Sequence, residues 1–291
     1  MVSGDERVKV VTTIFPIADI TKQIGGDHVG VEALLPPGAS PHTFEPTPGQ
    51  VKKLVQAKLF VQVGAGLEFW VNKLLEAQAS KPIEVVLAEG IDLIQDVGLE
   101  EHAEDQAGEG SVHPEREGGQ IGNPHIWVDP VLVKTHIVPK ITAGLIRAAP
   151  QYREDFESGM AKYITELEAL DEEFREKLTR FRIKQFISVH AAWVYLAQRY
   201  GLKQVAAIEA FPGKEPSAQW MARVAAIARE TGSKVIFAEP QLSTKAAQVI
   251  AEEIGGKVLI LDYLGGPSFS DRNTYIKLMR YNLKTLEEGL Q

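Results

Sequence analysis

The sequence predicts an α/β protein of two domains, and three observations predict it. Short Val/Ile-rich runs bounded by Gly or Pro alternate with helical patterns in both halves, as strands covered on both faces of a parallel sheet do. Between the halves, REDFESGMAKYITELEALDEEFREKLTRF is polar and amphipathic; about 30 helical residues at 1.5 Å each span ~45 Å, enough to cross between domains. A length of 291 residues, 44% of them hydrophobic, suits two moderate cores. The expected units are an N-terminal α/β lobe at 1–143, a linking long helix at 144–180 and a C-terminal α/β lobe at 181–291. Each lobe is a mostly parallel sheet flanked by helices.

In chain order, VKVVTTI (8–14), VGVEALL (29–35), LFVQV (59–63) and IEVVL (83–87) read as the strands of the first half. A helix begins after Thr47, which can cap. Pro48 suits the first helical position and Gln50 completes a capping box before VKKLVQA. Residues 100–119, EEHAEDQAGEGSVHPEREGG, carry seven acids, two His and one Arg without apolar period, the composition of a mobile surface loop. Helical pattern resumes near Asp129 and continues past Pro150. In the second half KQFISVH, KQVAAIE, SKVIFAE and GKVLILD are strand-like. They end in His190, Glu209, Glu239 and Asp262, polar groups at the strand ends, where open α/β sheets bind ligands.

Composition removes several functions. A net charge of -8 without a basic cluster argues against nucleic acid, whose phosphates need Lys and Arg gathered on one face. The absence of cysteine rules out disulfides and thiolate zinc sites, so any metal is held by nitrogen and oxygen. No apolar run approaches the ~20 residues of a membrane span. Met1 to Arg7 is a short polar lead into a strand, as expected where an export signal has been removed and a start codon added.

Three histidines fall at strand ends or in Pro/Gly-bounded turns: His42 in PPGASPHTFEPTP, His125 in GNPHIWVDP and His190 in FISVHAAW. Singly, each is more often a buried polar group needing a hydrogen bond than a ligand. Together with one carboxylate they make a ligand set for a tetrahedral divalent cation, zinc first. Asp262, Glu209 and Glu239 compete for the fourth place. Pro240 restricts Glu239 to extended backbone, whereas the looser YLGGPS after Asp262 can fold over a cation. His28 and His136 are expected to be exposed and without function; for His102 and His113 in the acidic loop the first reading is a solvated linker, with a weak collector of cations as the alternative. Trp70, Trp127, Trp193 and Trp220 match no single helix face and are expected in the core.

PPGASPHTFEPTP, NPHIWVDP, ISVHAAWVYLAQRYGL, FAEPQLS and LDYLGG resemble, in order and approximate spacing, the metal-specific solute-binding proteins of ABC importers. This is the cluster A-I group of ZnuA-type zinc binders and related manganese or iron binders, and the likeness runs from Lys9 to the last helix. It implies two α/β lobes joined by one long rigid helix, with the metal buried between them. It places His42 and His125 as ligands from the first lobe and His190 and Asp262 from the second. His at the third position points to zinc, where manganese and iron binders tend to carry Glu, and nitrogen donors suit zinc. The cargo implied is Zn2+, with Mn2+ as alternative. The partner implied is the permease of an ABC transporter, met by a monomer in the periplasm or anchored at the outer face of the cell membrane. A manganese or iron binder, a zinc hydrolase using three His and a metal-bound water, and a surface adhesin are the competing readings. No HExxH element supports the hydrolase.

Overall fold

The computed structural model describes residues 7–76, 81–95, 122–209 and 211–291. The acidic loop with His102 and His113 lies outside them. Both lobes are built the same way. Strands β1 (Val8–Thr12), β2 (Val29–Ala33), β3 (Leu59–Gln62) and β4 (Ile83–Val86) form a parallel sheet in the order β2-β1-β3-β4. Strands β5 (Gln185–Ser188), β6 (Lys203–Ala207), β7 (Val235–Ala238) and β8 (Lys257–Ile260) form another in the order β6-β5-β7-β8. In each, the chain starts at an inner strand, goes to one edge and returns to the other side, so the carboxyl ends of all strands share one rim.

Helices α1 (Phe15–Gly25), α2 (Pro48–Gln56) and α3 (Val71–Glu76) belong to the first lobe. The capping box at Thr47 forms: its hydroxyl accepts the Gln50 N–H and the Gln50 side chain receives the Thr47 N–H. Gln50 Nε2 also donates to Leu34 O, 2.6 Å away, so the loop carrying His42 is tied at both ends to β2 and α2.

Asp129 caps the next helical stretch, accepting from Val131 N–H at 2.8 Å. A π-turn, Val133–Ile137, then leads into α4 (Val138–Ala148). Pro139 explains the extra residue: its ring lacks an N–H and crowds the carbonyl four residues back, which the wider turn relieves. Pro150 opens a short 3₁₀ turn before the long helix α5 (Arg153–Leu178). Its 26 residues run ~39 Å at 1.5 Å per residue. It buries Phe156, Tyr163, Leu167, Leu170, Phe174 and Leu178 at helical spacing, with charge on the other face. Gly159 lets it approach α1: a Cβ there would lie 2.2 Å from Ile24 O.

The second lobe adds α6 (Val194–Arg199), α7 (Ala218–Thr231), α8 (Lys245–Glu253) and α9 (Tyr275–Leu290). One apolar core runs from the first sheet through α5 to Trp193, Tyr195, Tyr263, Tyr275 and Met279 of the second lobe, while a smaller one packs β5 and β7 against α7 and α8. The lobes thus share a continuous core. Trp70, Trp127, Trp193 and Trp220 are all buried in it or beside it, as their spacing implied.

Candidate metal centre

The three histidines meet where the rims of the two sheets face each other. His42 Nε2 lies 3.1 Å from His125 Nε2, and His190 Nε2 lies 3.3 Å from it on the other side. Donor atoms of all three fall within 4.8 Å of one another, and among the described residues no other such group of His and acids occurs. A tetrahedral zinc with nitrogen ligands at ~2.05 Å has ligand–ligand edges of ~3.3 Å. The two contacts match that edge. His125 and His190 are buried, and His42 is half-buried.

Each ring is set by its own partners. Asn123 Nδ2 donates to Ala191 O at 2.6 Å, which turns Asn123 Oδ1 toward His125, where it accepts the backbone N–H at 3.0 Å and Nδ1–H at 2.9 Å. With its proton on Nδ1, His125 presents a lone pair at Nε2. His190 Nδ1 lies 3.3 Å from Glu239 Oε1 but closes no hydrogen bond with it; a carboxylate so near favours the tautomer with its proton on Nδ1, which leaves Nε2 bare. Burial, with His190 and His42 nearby, pushes the His125 pKa well below its usual 6.5, so His125 is a neutral donor at physiological pH.

Tyr263 closes the floor. Its ring packs edge-on against His125 and His190, with centroids 5.4 and 5.1 Å away. Its carbonyl accepts the Trp127 indole N–H at 2.7 Å.

Asp262 is outside the 4.8 Å group. It is fully buried, with Oδ1 accepting from Leu264 N–H and Gly265 N–H at 3.0 Å each and from Gln241 Nε2 at 3.2 Å. Oδ2 faces Arg272 Nε at 3.3 Å. The Arg272 guanidinium is itself held between the Phe269 and Tyr281 rings, 4.2 and 4.5 Å from their centroids. Glu209 accepts from Gly213 N–H at 2.7 Å, and burial raises its pKa. Glu239 accepts the Trp193 indole N–H at 3.1 Å. The partners of the buried acids were not readable from spacing; Asn123, two residues before His125, was the one partner with a local signal.

His28 departs from expectation. It is half-buried, stacks on Tyr152 at 4.0 Å and lies 3.0 Å from Asp155, because the close packing of α1 on α5 carries its turn against the start of the long helix. His136 is also half-buried and contacts the Thr135 hydroxyl at 2.9 Å.

The lobes are pinned on both sides of the histidines. Tyr195 Oη donates to Asn123 O at 2.7 Å and accepts Ile94 N–H at 3.1 Å. Tyr275 Oη donates to Trp127 O at 2.8 Å, and Arg199 Nε pairs with Asp129 at 2.9 Å.

Known proteins resemble this chain over nearly its whole length. The high-affinity zinc uptake system protein ZnuA of Bacillus subtilis is 35% identical over 292 residues, 99% of this chain and 89% of that protein. Zinc-binding protein AdcA of Streptococcus pyogenes is 34% identical over 291 residues, covering 98% of this chain but 56% of its own length; the chain spans about half of that relative. The structure of a laminin binding protein of Streptococcus agalactiae, described as bifunctional with adhesin and metal transporting activity, superposes with a TM-score of 0.83. Its identity is 30%, covering 98% of this chain and 100% of the other. The family model of ZnuA, zinc-uptake complex component A, periplasmic, matches residues 10–289, and the chain belongs to that family.

Proposed function

We propose that this chain captures Zn2+ outside the cytoplasmic membrane and delivers it to the permease of an ABC importer, with His42, His125 and His190 as the zinc-holding residues. The observation that carries the reading is the convergence of three Nε2 atoms at 3.1 and 3.3 Å, with the His125 ring turned by Asn123 so that its Nε2 faces the other two. Three nitrogens favour zinc over manganese, which prefers oxygen. The zinc-uptake and zinc-binding names of the relatives support the same cargo.

Asp262 supplies the fourth donor when its loop moves. Oδ2 accepts no hydrogen bond among the described residues, so a cation competes for it against Arg272 alone. That movement carries the loop around Gly265 and Gly266 inward, and its reversal on the permease opens the site. The contacts pinning the lobes leave this loop as the local element of release.

Catalysis is not part of the proposal. A hydrolase needs a free base beside a metal-bound water. The two acids that sequence nominated are engaged elsewhere, Glu239 with Trp193 and His190 and Glu209 with Gly213 N–H. Among the described residues no helix is long and apolar enough to cross a membrane, which fits delivery to a permease and not membership of it.

Calorimetric titration of the metal-free chain with Zn2+ and Mn2+, beside His42→Ala and Asp262→Ala, tests the reading. Tight 1:1 zinc binding, stronger than manganese binding, severely weakened in His42→Ala and less so in Asp262→Ala, is expected. Zinc binding no tighter than micromolar and indifferent to His42 would overturn it.

A further inference from the structure

We propose that Glu239 is a positioning residue for zinc: its carboxylate holds His190 with Nδ1 protonated and Nε2 aimed at the other two histidines, and this strengthens the site. The inference rests on the zinc-binding reading and adds a residue whose side chain reaches the ion only through another.

Glu239 follows the last residue of β7 and is fully buried. Pro240 follows it and keeps it extended, which aims the side chain off the strand end toward β5 and His190. Oε1 is shared: the Trp193 indole donates to it at 3.1 Å, and His190 Nδ1 stands 3.3 Å away. Trp193 is itself fully buried, so the carboxylate cannot swing without breaking that hydrogen bond. Oε2 is buried with no hydrogen-bond partner among the described residues, and His190 Nδ1, at 3.3 Å from Oε1, closes no hydrogen bond either, so the two groups face each other unsatisfied. A buried carboxylate with an unsatisfied oxygen is costly unless compensated. A cation on the far side of the His190 ring provides that compensation, because drawing electron density through Nε2 makes Nδ1–H a stronger donor to Glu239.

The two buried histidines are therefore oriented by different chemistry. His125 is fixed by a neutral amide, Asn123, and His190 by a carboxylate. Carboxylate support raises imidazole basicity, and loss of such an outer partner typically weakens metal affinity ~10–100-fold. The second lobe's histidine is the one most strengthened.

The test compares the unchanged chain with Glu239→Gln and Glu239→Leu, measuring zinc affinity by chelator competition and the His190 ring-nitrogen shifts by NMR. Gln keeps an acceptor without charge, and Leu keeps volume without either. Expected are an Nδ1-protonated His190 in the unchanged chain, zinc affinity lowered ~10–100-fold in Glu239→Leu, and partial rescue in Glu239→Gln. Melting curves of the metal-free variants separate this from misfolding: Glu239→Gln, folded and still weaker for zinc, carries the point if Glu239→Leu is unstable. Equal zinc affinity in all three, or a His190 tautomer indifferent to residue 239, overturns the proposal while leaving the three-histidine reading standing. An unchanged chain that binds no zinc overturns both.

Discussion

His42→Ala removes one corner of the site with least damage to the fold. His42 is half-buried and sits on a loop tied down by the Thr47–Gln50 cap. Its Nε2 is nevertheless 3.1 Å from His125 Nε2, inside the cluster. Zinc sites of four ligands bind with roughly 10–16 kcal/mol, about 2.5–4 kcal/mol per ligand. At 1.4 kcal/mol per decade, losing one ligand weakens binding ~10²–10³-fold. Chelator competition measures the affinity, and the melting temperature of the metal-free variant checks the fold. The melting temperature should stay close to that of the unchanged chain, and the rise produced by a fixed zinc concentration should shrink with the affinity. Unchanged zinc affinity in a folded His42→Ala protein would refute the reasoning, because a site that ignores this ring is not built from the three.

Other consequences are accessible by simpler means. The folded pKa of His125 lies well below 6.5, so below pH 6.5 the unfolded chain takes up a proton that the folded chain refuses. Metal-free stability should therefore be complete above that pH and fall as pH drops toward the folded value, seen as falling melting temperature, and His125→Asn should flatten the fall. Gly159→Ala would ordinarily help a helix by ~1 kcal/mol. Here the added Cβ meets Ile24 O at 2.2 Å, so it should instead cost ~1–3 kcal/mol, at about 2–4 °C of melting temperature per kcal/mol; a stabilised variant would contradict the packing of α5 on α1. Finally, the shared core and the Tyr195, Tyr275 and Arg199 contacts across the lobes predict small-angle scattering curves that coincide with and without zinc. A clear contraction on zinc binding would contradict local release.

Much of the architecture was legible because it is local. The eight strand-like runs correspond to β1–β8 with ends trimmed by a few residues, since hydrogen-bonded strand pairing stops where apolar sequence still continues into the rim. The cap at Thr47, Pro48 and Gln50 formed as read, because capping needs neighbours three residues apart. The π-turn before Pro139 was not legible, although its cause is a single proline. The histidine cluster could be assembled because each ring sits at a strand end or in a turn beside one, and parallel strands put those ends on one rim. The acids could not be sorted. Whether Asp262, Glu209 or Glu239 faces the rings depends on Arg272, Gly213 and Trp193, partners 10, 4 and 46 residues away in sequence, and no periodicity encodes those meetings. His28 was misjudged for the same reason: its partners Tyr152 and Asp155 come from the start of the long helix, 124 and 127 residues further on.

X-ray absorption at the zinc edge of the zinc-loaded chain tests the central claim most directly. Three imidazole rings at ~2.0–2.1 Å with one oxygen donor, falling to two rings in His190→Ala, is the predicted spectrum. A shell of oxygens, or one with fewer than three imidazoles in the unchanged chain, would contradict a zinc site built from His42, His125 and His190.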